Sequence, residues 1–416
     1  MEEHSKLLID LLSSAIRGLK PSSFILTQVD SKHLHNIWND IYEEALAHEV
    51  HTLIYPILSE LPSDLRPDNE IMIKWKRGTI LSASEQIHHI EMVRMVLEKF
   101  HAEGIPVIAL KGLVIRDYYP QPDLRTMGDA DLLIKKEDIK KAKKLLREMG
   151  YVKGEMSIKH IHYYHQNSLS LELHWISIDQ DGGKESPNFT NQIWEHVEKT
   201  TIGGVPVLKM SIEDQLLHLT IHALTHLRSS GIGLRQICDI VLFLEGNSNN
   251  INWNYIMIKA DEYLIQNFIS LLLTLCDQLF GYEIPDMVSD TMCAIPDTII
   301  DILINEIIHS GVYGRRTREQ ETNVRINKYI NIANESTKTA GIYKLQHIVS
   351  FLFPSVQKLN YHYKYAKKLP ILLPIAWMHR GINNIKHMDA LKRLRRNEIT
   401  TTIKARSKLL HWLQLR

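Results

Sequence analysis

The chain has 416 residues, 44% of them hydrophobic and 23% charged, a balance that suits a globular protein and excludes collagen-like, disordered and membrane-spanning classes. Its length exceeds what one hydrophobic core usually serves, so two or three structural units are expected. The 49 basic and 48 acidic side chains leave a formal charge of +1, which gives no global field for a polyanion, so any nucleic-acid contact needs a local patch.

One such patch is the tail Lys392-Arg-Leu-Arg-Arg396 with Lys404, Arg406, Lys408 and Arg416, whose plainer reading is a solvated helical face. Cys238, Cys276 and Cys293 each read as lying in an apolar helical setting. Three such residues argue against a disulfide framework or a thiolate metal cluster and favour a reducing cytoplasm. The start, Met1-Glu-Glu-His-Ser, lacks the basic opening and cleavage site of a secretory signal. No stretch reads as a transmembrane segment. Leu369 to Met378 is apolar but holds two prolines and is too short for a hydrocarbon layer of roughly 30 Å; it reads as buried, with shallow membrane contact as the alternative.

In chain order, Ser5 to Phe100 is helical by pattern, with Leu7, Leu8, Leu11 and Leu12 forming one stripe, a second segment over Leu34 to Leu58 and a third over Ser82 to Phe100, stopping at Gly104. Pro106-Val-Ile-Ala-Leu110 then reads as a short strand that stops at Lys111-Gly112, after which helical spacing resumes through Tyr119. A proline-rich loop to Gly128 leads into a second strand, Asp129 to Ile134, and a charged helix, Lys136 to Met149, that ends at Gly150. Tyr151 to Lys153, Ile161 to His165 and Leu169 to Ile178 read as further strands. After a turn at Gly203-Gly204, Ser211 and Asp214 open a long helical region by capping, and the Arg-rich segment Gly314 to Thr322 reads as an exposed connection or lid. The expected regions are residues 1–100, helical; 101–210, the core; and 211–416, helical.

Side chains two apart on a strand share a face, so Asp129 and Asp131 bring two carboxylates close together, and their repulsion needs a counter-charge such as Mg²⁺. Upstream, Lys111-Gly112 at a helix mouth pairs a compact cation with a residue that lets a ligand approach the backbone. Arg125 could clamp a phosphate through two bonds, which together outlines a nucleoside triphosphate site. Taken singly, Lys111 also fits a solvated strand end and Arg125 a surface ion pair. A third acid would complete a two-metal centre; Glu172 is the best placed, beside His174, with Glu155, Asp179 and Asp181 as competitors in turns or strand ends.

His218, His222 and His226 fall four apart on one helix face. That spacing can hold zinc but lacks the glutamate of zinc proteases, leaving structural packing, an acceptor pocket or a metal as readings. Asp239 could orient one imidazole, and Arg235 shares its helix face. His160, His162 and His165, with Tyr163 and Tyr164, read as a solvated or partly covered edge.

The run Leu110-Lys-Gly-Leu113, Tyr118-Tyr-Pro120, Arg125, Gly128-Asp-Ala-Asp-Leu-Leu-Ile134 and Leu171-Glu-Leu-His-Trp175 resembles the uncharacterised bacterial nucleotidyltransferase family of the DNA polymerase β-like superfamily. Leu217-His-Leu219, His222, His226 and Leu234-Arg-Gln-Ile-Cys-Asp-Ile240 resemble that family's histidine and arginine–aspartate signature; the match spans about Pro106 to Leu244. The superfamily commonly has Gly-Ser or Gly-Gly where this chain has Lys111-Gly112. The resemblance implies an α+β fold, with a small mixed-sheet nucleotidyltransferase core between helical regions. It also implies two Mg²⁺ ions, with Mn²⁺ as substitute, held by Asp129, Asp131 and Glu172, and release of pyrophosphate from a nucleoside triphosphate.

The expected activity is transfer of a nucleoside monophosphate to a hydroxyl of a small-molecule, peptide or protein acceptor, with ATP chosen for its cellular abundance. Lys111, Gly112 and Arg125 would face the nucleotide, and His174, His222, His226, Arg235 and Asp239 the acceptor or the scaffold. The alternatives are an RNA-directed transferase, of nucleotide-adding or toxin type, and a non-catalytic nucleotide-binding scaffold.

Overall fold

The N-terminal apolar stripes form α1 (Glu3–Ile16), α2 (Ser31–Ala47), α3 (His51–Leu58) and the long α4 (Asn69–Ala102), in a computed structural model that describes residues 1–21, 31–157, 159–177, 187–229, 231–311, 372–379 and 396–414. The chain divides into two units, Met1–Arg316 and Thr317–Arg416. The single helical segment expected over Leu34 to Leu58 is two helices, because Glu49 adopts a left-handed backbone with φ of 54° and turns the chain. Asp68 caps α4 by accepting from the Ile71 amide at 2.9 Å, and the helix stops before Gly104, which has φ of +68°.

The sheet follows: β1 (Val107–Ala109), α5 (Gly112–Ile115), β2 (Asp129–Ile134), α6 (Ile139–Glu148), β3 (Val152–Met156), β4 (His160–His165), β5 (Ser168–His174), α7 (Pro187–Glu195), β6 (Glu198–Ile202) and β7 (Val205–Lys209). Its seven strands run in the order β3-β4-β5-β2-β1-β7-β6. The β1–β7 and β2–β5 pairs are parallel and the remaining neighbours antiparallel, so the sheet is mixed and the fold is the α+β arrangement expected.

Period-two alternation sets the two faces. Ala130, Leu132 and Ile134 of β2 join Leu171, Leu173, Ile161 and Tyr163 in one buried core, packed with Val93, Val96, Leu97 and Phe100 of α4. Each such fully buried aliphatic side chain contributes about 1.5–3 kcal/mol. The intervening residues, Asp129, Asp131, Glu172 and His174, project from the other face. A rigid apolar layer therefore backs every acid on these strands.

Further sequence expectations need correction. The β6–β7 hairpin was read only as a turn; Gly203 and Gly204, with φ of +56° and +82°, form a two-residue loop that returns the chain as β7 beside β1. The last core strand ends at His174 rather than Ile178. β4 is internal, between β3 and β5, so its histidines do not lie on an edge. Cys293 lies in a loop, not a helix, although Cys238 and Cys276 are helical and buried, and all three cysteines are free.

Past β7 come α8 (Ile212–Ser229), α9 (Leu234–Gly246), α10 (Trp253–Glu262), α11 (Gln266–Phe280), α12 (Asp286–Ser289) and α13 (Asp297–Ser310). Ser211 caps α8 as expected, its hydroxyl accepting from the Asp214 amide at 3.2 Å. In the second unit the described residues include α14 (Arg396–Trp412), which carries Lys404, Arg406 and Lys408; Lys392 to Arg395, Arg416 and the segment Gly314 to Thr322 lie outside the described residues. In the described part of the apolar stretch Leu369 to Met378, Ala376 is buried but Ile375 and Met378 are 51% and 64% exposed, so burial holds there for one small side chain only. Among the described residues no helix is long and apolar enough to cross a membrane.

Candidate active site

Lys111, Gly112, Asp129, Asp131, Glu172 and His174 line one cleft of about 350 Å³, with His222, His226, Arg235 and Asp239 on its α8 and α9 side. The register explains the carboxylates. On parallel strands Asp131 pairs directly with Glu172, while Asp129 pairs with Ser170, so three acids share a face within two adjacent strands. Of the competitors for third acid, Glu155 is exposed on β3 and does not line the cleft, and Asp179 and Asp181 lie outside the described residues.

Two basic groups serve these three acids. Lys111 Nζ donates to Asp131 Oδ1 at 2.9 Å, and His174 Nε2 sits 2.8 Å from the same oxygen and 3.1 Å from Glu172 Oε2. Burial alone would raise the Asp131 carboxyl, but Lys111 and the His174 bond hold it well below the usual range. Burial would likewise raise Glu172, yet His174 leaves it lowered. Desolvation opposes charge on Lys111 and His174, and the acids nevertheless raise both. Asp129 is left over: burial and the neighbouring Asp131 charge push its carboxyl up to about 7. Ligand atoms of Asp131, Glu172 and His174 lie within 4.8 Å of one another, a grouping that could hold a metal ion, with Asp129 on the same face outside it.

The glycine turn is built differently from the expectation. Lys111, not Gly112, carries the positive φ, at 47° with ψ of −120°, and Leu113 N bonds Leu110 O at 3.2 Å across the turn. This is a type II′ turn with lysine where glycine is preferred, a backbone strain worth about 1–3 kcal/mol that aims the ammonium at Asp131. Gly112 is required for packing, because a Cβ there would meet Arg125 Nη1 at 2.5 Å and Met127 Sδ at 2.8 Å. The Val114 and Ile115 amides donate to Lys111 O at 3.0 and 2.9 Å, which commits them to the turn.

Arg125 lines the cleft with its fork on Asp239, Nε reaching Oδ1 at 3.1 Å and Nη2 bonding Oδ2, rather than held open toward a phosphate. Asp239 also accepts from Tyr119 Oη at 2.8 Å, so its carboxylate anchors Arg125 and Tyr119 instead of an imidazole. Arg235 pairs with Glu49 and donates to Thr126 O at 2.9 Å, while Gln86 bonds both the amide and the carbonyl of Met127, at 2.9 and 3.2 Å. The segment 125–127 leading into β2 is thus held from α4, α9 and the α2–α3 junction. Tyr119 falls in the run Tyr118-Tyr-Pro120 that carries the resemblance, whereas Glu49 and Gln86 carry no sequence spacing that would reveal them, since they meet the segment only in the folded chain.

On α8, His222 and His226 face each other through their Nε2 atoms at 3.1 Å, and His218 stacks behind His222. Burial lowers all three, His218 to about 3 and His226 to about 4, so they are neutral imidazoles at neutral pH. His160 also lines the cleft, and His162 meets Glu172 Oε1 at 3.1 Å through Nδ1. Their two-residue spacing on a strand was the available signal.

Residues 35–281, more than half of the chain, match the family described as uncharacterised nucleotidyltransferase. No curated protein sequence matches the chain at a significant level. Among solved structures, the lincosamide antibiotic adenylyltransferase LnuA, bound to lincomycin, is similar at 17% identity over 37% of this chain and 94% of that one, with a TM-score of 0.28. The antibiotic-resistance factor ANT(2'')-Ia gives 15% identity over 42% and 92%, with a TM-score of 0.33. An antigenic nucleotidyltransferase-like protein from Paracoccidioides brasiliensis gives 16% over 50% and 97%, with a TM-score of 0.32. By the family match over its sheet, cleft and following helices, the chain belongs to the uncharacterised nucleotidyltransferase family and is a nucleotidyltransferase.

Proposed function

We propose that the enzyme transfers a nucleoside monophosphate, AMP from ATP, to a hydroxyl of a small-molecule, peptide or protein acceptor, releasing pyrophosphate. The observation that carries this reading is the register that sets Asp131 beside Glu172 on parallel strands, with Asp129 on the same face. Asp129, Asp131 and Glu172 would hold the divalent ions, Mg²⁺ with Mn²⁺ as substitute, which when bound supply charge neutralisation on the triphosphate and acidify the acceptor hydroxyl.

The chain's own groups supply the rest. The acceptor oxygen forms a bond to the α-phosphorus as the bond to the bridging oxygen breaks, the electron pair leaving with pyrophosphate and the hydroxyl proton passing to Glu172. Lys111, whose ammonium lies on Asp131 in the cleft, would stabilise charge growing on the phosphates. Arg125, matched by Asp239, lines the nucleotide side of the cleft and fixes the approach to β2. His222 and His226, neutral and facing the cleft, offer hydrogen bonds to an acceptor hydroxyl without adding charge. In this reading residues 101–210 carry the nucleotide chemistry, 1–100 brace it and, within the helical region from 211 onward, α8 and α9 shape the acceptor side; ATP supply and the free cysteines suit a cytoplasmic setting.

The test is transfer of α-labelled nucleotide triphosphate in a cell extract with Mg²⁺, comparing wild type with Asp129→Asn and Asp131→Asn. Labelled acceptor is expected from wild type alone. Equal labelling by either variant rejects the proposed centre.

A further inference from the structure

Beside the carboxylate row lie two imidazoles that the transfer reaction does not use. The antiparallel register of β4 and β5 pairs His162 with Glu172 and His160 with His174, so both imidazoles project from the face that carries the acids. We propose that His160, His162 and Glu172 form a binding site for a nitrogen-preferring divalent transition ion such as Zn²⁺ or Co²⁺, next to the Asp129–Asp131 pair and sharing Glu172 with it.

The spacing supports this. One ligand atom from each of the three lies within 4.8 Å of the others. The two Nε2 atoms face each other at 3.1 Å. Two nitrogens on one tetrahedral ion, each bonded at about 2.0–2.1 Å, are separated by about 3.3 Å, so little movement would close the site. Glu172 stands between the two positions: Oε1 meets His162 Nδ1 at 3.1 Å and Oε2 meets His174 Nε2 at 3.1 Å, so rotation of the His162 ring or of the carboxylate brings Oε1 to the same ion as the imidazoles. Both imidazoles are partly exposed, which leaves a route for an ion, yet they stand on an internal strand that fixes their separation.

The ligand set decides the ion class. Imidazole suits zinc, copper, iron and nickel, whereas Mg²⁺ prefers oxygen throughout, so the two neighbouring positions select by chemistry rather than by size alone. The site stands independently of the catalytic reading, although Glu172 belongs to both.

The experiment is Co²⁺ titration of the full-length metal-free protein in excess Mg²⁺, followed by visible absorption. Binding that Mg²⁺ does not displace is expected, weakened on the order of 100-fold in His160→Gln and in His162→Gln, since even loss of a partner that merely orients a ligand costs up to that much. Unchanged affinity in both variants, or loss in His222→Gln instead, overturns the site. Should a glutamine variant fail to fold by circular dichroism, Cu²⁺ electron paramagnetic resonance of a His174→Gln/His222→Gln/His226→Gln protein reads the ligands directly: coupling to two nitrogens supports the site and coupling to one or none refutes it. Asp129→Asn separates the two readings, because it is expected to abolish transfer while keeping Co²⁺ absorption. Transfer that survives in it sinks the catalytic reading alone.

Discussion

Two charged clusters share the cleft and are built on opposite rules. In the wall made by α9 and the loop before β2, charges are matched: Arg125 lies on Asp239, Arg235 on Glu49, and backbone carbonyls take further donors. In the carboxylate row, three acids share Lys111 and His174, and Asp129 is left with a carboxyl pushed up to about 7. Matched buried charge fixes geometry, whereas unmatched charge held rigidly on strands is poised for an ion that brings its own charge. The family match makes the chain a nucleotidyltransferase; the contrast separates its matched charges from a row in which three acids share two basic groups.

The contrast breaks first at Asp131. Asp131→Asn removes the partner of both Lys111 and His174 and one proposed metal ligand, and single-turnover transfer is expected to fall on the order of a thousandfold, the scale of losing one electrostatic group at a transition state. A loss under tenfold would put the row in the same class as the wall. Asp239→Asn probes the wall itself. Arg125 and Asp239 are 6% and 5% exposed, so removing the carboxylate charge leaves a buried guanidinium poorly compensated. About 3 kcal/mol of stability should go in urea unfolding, with unfolded protein rather than slow chemistry as the main defect.

How much of this the sequence carries follows from the range of the interactions. Strand β2, its flanking helices and the Asp129–Asp131 pair follow from local alternation, which burial of one face enforces. The row's third acid was legible because Glu172 alternates with Leu171 and Leu173, both in the core. The β6–β7 hairpin was missed because Pro206 and polar Thr200 and Thr201 blur the apolar pattern, although the Gly203-Gly204 turn was plain. Arg125 looked like a phosphate clamp because its partner Asp239 is 114 residues away, and sequence spacing has no access to such a pair. The β4 histidines looked like an edge because nothing local says that β3 adds outside them.

Gly112→Ala sharpens the junction of the two clusters. The added methyl would meet Arg125 Nη1 at 2.5 Å and Met127 Sδ at 2.8 Å. Both must shift, at a cost of about 1–3 kcal/mol in thermal or urea unfolding. Arg125 would then press on the segment that feeds β2, so transfer should fall as well. A variant as stable as wild type would mean that glycine at this position serves the ligand rather than the packing.

The smallest effect has the most informative sign. In Mg²⁺-free buffer the Asp129 carboxyl sits at about 7, above its ordinary 3.8. Below 3.8 the group is protonated in both folded and unfolded chains; as pH rises toward 7 the unfolded chain ionises first, so this group lowers stability across that window and adds nothing further above it. Asp129→Asn abolishes the decline and, above pH 7, should stabilise the metal-free protein by about 1 kcal/mol once solvent screening of a partly exposed carboxylate is allowed for. Mg²⁺ should reverse the order, because it stabilises only the chain that keeps the acid, and its affinity for wild type should fall roughly tenfold per pH unit below 7 as the proton competes. Unfolding curves with and without Mg²⁺ on either side of that pH read both signs. A variant less stable than wild type without metal would show Asp129 to be matched after all, like the aspartate across the cleft.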